Sequence, residues 1–110
     1  MDKDALERTL ENLRQDYAEQ LVRTVAQMEV AWRRLAAGEI PAAEIEALMR
    51  KAHTIAGAAG TFEFERASRA ARALELLLDP LCAGARLPDS ATQARIAALL
   101  EELRLATIGS

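Results

Sequence analysis

Apolar residues recur along this chain in steps of three and four, the period of one helical face. The first stripe runs Leu6, Leu10, Leu13, Tyr17, Leu21, Val25, Met28, Trp32, Leu35. It predicts helix from about Asp4 to Ala37, either as one long helix or as a short one followed by a longer one, with Asp16 as an interior cap. Gly38 and Pro41 bracket the first break. A second helix, about 41–60, starts near Pro41, because proline is tolerated in a first turn. Its stripe is Ile45, Leu48, Ala52, Ile55, Ala59, Phe62. A third runs from about Glu63 to Leu78, with Phe64, Ala67, Ala71, Leu74 and Leu78 inward, and stops at Pro80. The fourth opens at Asp89 or Ser90, both good N-caps, and continues through Ile96, Leu99, Leu100 and Leu103 to about Ala106. No strand-like alternation and no internal repeat interrupts this order. Four amphipathic helices with short connections predict an all-α, antiparallel up-and-down four-helix bundle filling residues 1–110 as a single domain.

Composition sharpens the picture. With 110 residues, 51% hydrophobic and 28% charged, the chain can bury a core without disulfides or metal. Aromatics are only 4%, so the core is mostly Leu, Ile, Val, Met and Ala, which favours helices. A net charge of −3 lacks the basic footprint of a nucleic-acid binder. The arginines of the first and third segments, among them Arg66, Arg69 and Arg72, read as a solvated face, with Arg66 and Arg69 as further candidates to flank a docking surface. Cys82 is the one cysteine, so no internal disulfide forms. The opening Met1-Asp2-Lys3-Asp4 has no apolar run and no stretch reaches a membrane span, so a cytoplasmic, free-standing monomer without membrane association is expected. The monomer expectation assumes that one bundle buries every stripe.

His53 is the only histidine. On a helical wheel it points roughly 130° away from the centre of the second stripe, so it faces solvent or a partner. Gly57 lies within roughly 40° of it and Gly60 within roughly 20°. A glycine inside a helix costs about 1 kcal/mol relative to alanine. Gly60 is explained equally well as a C-cap, Gly57 much less so. The functional reading is a bare patch that lets another protein approach the imidazole.

The run Ala52-His53-Thr54-Ile55-Ala56-Gly57-Ala58-Ala59-Gly60-Thr61-Phe62 resembles the motif of histidine-containing phosphotransfer (HPt) domains: Ala-His-x-Leu-Lys-Gly, then small residues. Leu74-Glu75 matches a Leu-Glu pair late in the family's next helix, and Gly60-Thr61-Phe62 followed by Phe64 is similar to the chemotaxis-kinase members. The resemblance implies that His53 accepts and donates a phosphoryl group between aspartates of receiver domains, loaded from a hybrid sensor histidine kinase. It implies docking residues around it, here Met49, Arg50, Ala56, Gly57 and Gly60. No intrinsic cofactor is expected, and Mg²⁺ would come with the receiver. Without a nucleotide-binding fingerprint the chain should not phosphorylate itself from ATP. Whether to class such a phosphotransfer intermediate as an enzyme stays open.

Two positions depart from the family. Ala56 stands where a lysine usually helps neutralise the phosphoryl group, and Glu63 stands where glycine is frequent. Arg50, one turn before His53, is a candidate replacement charge, or else part of a solvated face with Lys51. These departures motivate the alternative, a degenerate bundle that docks without phosphotransfer. A di-iron bundle needs two Glu-x-x-His units, and the residue three before the one histidine is Arg50.

Overall fold

The structure is a computed structural model that describes residues 2–84 and 86–108. The reading of Met1 as a leaderless start lies outside them. Four helices make up the fold: α1 (Lys3–Ala36), α2 (Ile45–Ala58), α3 (Glu65–Gly84) and α4 (Ser90–Ile108). Each packs against its neighbours in chain order, and α4 closes the ring against α1. This is the up-and-down bundle that the apolar stripes predict.

Local chemistry sets the ends. Asp2 caps α1 by accepting a hydrogen bond from the Ala5 amide at 2.7 Å. Helix α1 then runs unbroken to Ala36, so Asp16 caps nothing. Gly38, at φ 72°, stops it. The Glu39 amide bonds the Arg34 carbonyl and the Gly38 amide the Leu35 carbonyl, which satisfies the last turn. A short 3₁₀ turn, Ala42–Glu44, leads from Pro41 into α2. Asp89 rather than Ser90 caps α4, accepting from the Thr92 amide at 2.8 Å. That bond holds the Asp89 carboxyl below its ordinary range.

Helix α3 differs from expectation at both ends. It begins at Glu65, because Glu63 adopts a left-handed conformation at φ 68°. It passes through Pro80 and ends at Gly84. A proline at 80 forfeits a bond to the carbonyl of Leu76, but both residues lie on the exposed side, where water can serve that carbonyl. Leu81 and Cys82, half-buried against the core, keep the last turn attached.

The core takes Leu21, Val25, Met28, Trp32 and Leu35 from α1 and meets the inward stripes of the other three helices. Among the described residues no polar or charged side chain is buried. Burial of each large aliphatic side chain contributes about 1.5–3 kcal/mol. Leu6, Leu10 and Leu13, by contrast, are 47%, 56% and 50% exposed. The sequence pattern placed them with the core stripe; the structure leaves them uncovered. The reason is length. The 34 residues of α1 span about 51 Å, whereas α2 has 14 residues and α3 has 20. The amino-terminal part of α1 therefore extends past the bundle as an arm, and the molecule measures 54 × 23 × 20 Å.

Candidate functional site

Alanines bring α2 and α3 together. Ala52 and Ala56 on α2, Ala59 just past its end, and Ala67, Ala70 and Ala71 on α3 are all buried. Small side chains at a crossing permit close helix approach. The Ser68 hydroxyl fastens this seam by donating to the Ala56 carbonyl at 2.9 Å.

Further along the seam, His53 and Glu75 meet. His53 Nδ1 lies 2.6 Å from Glu75 Oε2. The histidine side chain is 72% exposed and the glutamate 21%. An ionised carboxylate only accepts hydrogen bonds, so Nδ1 carries the proton and donates. The contact thus selects the tautomer whose lone pair sits on Nε2, the nitrogen distal to the backbone. One ring edge is anchored by the protein, and the other faces outward.

Around the imidazole the helix is bare. Gly57 is exposed, and a Cβ added there would meet no atom within 4 Å. No side chain or other element of the chain comes close enough to require glycine at that position. At Gly60 an added Cβ would lie 3.7 Å from the Ser68 hydroxyl, an ordinary contact. Helix α2 ends at Ala58, and Ala59–Phe62 tighten into a 3₁₀ turn. Gly60 is therefore part of that turn, and its carbonyl accepts from the Glu63 amide. Glu63 itself takes the left-handed position that ends the turn, the conformation glycine adopts at least cost.

The remaining candidate residues divide. Arg50 is exposed but turns toward the start of α2, its Nη2 2.6 Å from Glu46 Oε1. Lys51 Nζ lies 3.4 Å from Gln27 Oε1 on α1. Met49 is half-buried and packs against the core. Ala56 is buried in the α2–α3 seam and not on the open face. The patch that surrounds His53 on α2 is thus Gly57 with Thr54, which is exposed and bonds back to the Arg50 carbonyl.

Glu75 stands at the Leu-Glu position of the family resemblance, and its contact with His53 is new in the structure. The signal was present: Leu74 points into the core, and its neighbour on an antiparallel helix one alanine-lined seam away can reach the edge of α2. The Ser68 bond to the Ala56 carbonyl had no such signal. At the base of the arm, Tyr17 stacks on Phe62 with ring centroids 4.6 Å apart, and Arg14 Nε donates to the Phe62 carbonyl at 3.1 Å. Burial pushes the Tyr17 phenol up. Burial also raises the Cys82 thiol, reinforced by Asp79 and Glu46.

The helical bundle thus offers one solvent-facing imidazole, oriented from behind by a carboxylate on the adjacent helix. The family model of the Hpt domain matches residues 4–106, nearly the whole chain, and the chain belongs to that family. The family supports a phosphotransfer-related role in two-component systems and interaction with receiver domains and kinases. No curated protein and no solved structure gives a significant match. Among the described residues no helix is long and apolar enough to cross a membrane.

Proposed function

We propose that this protein relays a phosphoryl group between aspartates of receiver domains through phospho-His53. The observation that carries the reading is the His53–Glu75 pair, with Nδ1 held at 2.6 Å and Nε2 left facing solvent. Neutral imidazole is a competent nucleophile near physiological pH. In the transfer, the Nε2 lone pair attacks phosphorus in line. The P–N bond forms as the P–O bond to the aspartyl carboxyl breaks, and the leaving carboxylate keeps the electron pair. Positive charge develops on the ring, and Glu75 stabilises it through the Nδ1 proton. The reverse sequence passes the group to a second receiver. Mg²⁺, held by the receiver's own carboxylates, would shield the phosphate oxygens. The fit to a protein-sized partner rests on Gly57, where the surface beside the imidazole is flat. A hybrid sensor histidine kinase upstream and a cytoplasmic setting complete the proposal.

One observation favours a second reading, a docking module without phosphotransfer. Ala56 replaces the family's lysine, and Arg50 is turned to Glu46, so neither supplies positive charge beside His53. One experiment separates the two. Phosphorylated receiver domains are mixed with this chain and Mg²⁺, alongside His53→Gln. Acid-labile, base-stable label on the native chain and none on the variant is the expected result. Receiver binding without label overturns phosphotransfer and establishes docking; equal label on the variant overturns His53 as the acceptor.

A further inference from the structure

We propose that the arm, residues 3–16, pairs with the arm of a second copy of this chain as an antiparallel two-helix coil. This inference does not depend on the phosphotransfer reading.

Three leucines at half exposure on one face of a helix need an occupant. Leu6, Leu10 and Leu13 are spaced four and three apart, and Tyr17 follows four further on. That is the seven-residue seam of a two-stranded coil. The expectation of a monomer assumed that the bundle buries these leucines, and it does not. The helices of the same chain end too soon to cover them. A groove of about 460 Å³ remains between the arm and the turn after α2, lined by Leu10, Leu13, Arg14 and Phe62 among others.

Charge selects the occupant and its direction. With two arms antiparallel, Leu10 of each copy packs on Leu13 of the other. Leu6 of each packs on the Tyr17–Phe62 stack of the other, which closes both ends of the seam. Glu7 and Arg14 lie on the same flank of the stripe, and antiparallel pairing sets Glu7 of each copy opposite Arg14 of the other. The present neighbour of Glu7 is Lys3 at 4.0 Å, an exposed pair that yields to a better one. Parallel pairing would set Asp2 against Glu7, two acidic groups. Antiparallel arms also hold the two bundles at opposite ends, so the bundles do not collide. Two arms of this length cover less than the roughly 800 Å² per partner of a standard stable interface, so the dimer should be concentration-dependent.

The test is the mass in solution, by sedimentation equilibrium from low micromolar to near-millimolar chain. The native protein should rise from 12.0 kDa toward twice that mass. Leu10→Glu should stay at the single-chain mass with its helical circular dichroism retained, because Leu10 supports no core. Glu7→Arg should also stay single, and Glu7→Arg combined with Arg14→Glu should restore the dimer. A native mass of one chain throughout overturns the proposal. So does a Leu10→Glu protein that still dimerises. Failure of the double exchange to restore pairing, with helical circular dichroism and thermal midpoint retained although Arg14 no longer bonds the Phe62 carbonyl, overturns the antiparallel register.

Discussion

The two parts of α1 carry the same sequence pattern and meet opposite fates. From Leu21 to Leu35 the stripe is buried within the bundle; from Leu6 to Leu13 it is half exposed. Periodicity reports that a helix has an apolar face. It does not report whether another element is long enough to reach that face. The lesson extends to the functional site, where exposure again depends on what the neighbouring helix covers. On α2, Ala56 is sealed by α3 while Gly57, one residue on, is open.

The widest separation should come from truncating leucines along α1. Leu35→Ala should cost about 2–5 kcal/mol in urea unfolding, because it leaves a cavity in a packed core. Leu10→Ala, in dilute protein, should change stability by less than about 0.5 kcal/mol. Similar losses at both positions would show that the arm is covered within one chain.

Glycines sharpen the same contrast. Gly38→Ala should destabilise by about 1 kcal/mol, since alanine at φ 72° is strained. Gly57→Ala should stabilise the free domain by up to about 1 kcal/mol, because it adds helix propensity in open space. The same change should slow phosphotransfer from a receiver, as the methyl group occupies the approach to His53. A stabilised Gly57→Ala protein with an unaltered transfer rate would refute the clearance argument.

Glu63→Gly relieves a left-handed glutamate and should raise stability by somewhat less than about 1 kcal/mol, read as a higher thermal midpoint. The smallest effect concerns pH. The Asp89 carboxyl is depressed by its bond to the Thr92 amide, so its contribution is complete above the unfolded-state pKa and is lost as pH falls through the lower folded value. The stability difference between the native protein and Asp89→Ala should therefore shrink on acidification below the ordinary aspartate range. A difference that persists there would mean that the neutral acid caps as well as the carboxylate.

Much of the architecture was legible without coordinates. Helix number and order followed from period and punctuation, and Gly38 marked the end of α1 because a left-handed stop favours glycine. Glu63 was legible as a stop only through the family's frequent glycine at that position, since nothing in a glutamate itself announces a positive φ. Pro80 misled for the opposite reason. Its missing amide costs a helix least where the freed carbonyl can reach water, and here Pro80 and Leu76 lie on the exposed side.

His53 as an outward-facing histidine came from the sequence alone, because the angle between a residue and an apolar stripe is a property of one helix. The carboxylate that holds Nδ1 and leaves the distal nitrogen outward did not. That depended on the alanine seam that brings α3 close, and on the level along the seam at which Glu75 arrives. The fate of Leu6, Leu10 and Leu13 was likewise a matter of relative helix length. Local periodicity determines faces; only the assembled bundle decides which faces meet a neighbour, because that depends on distances between segments far apart in the chain.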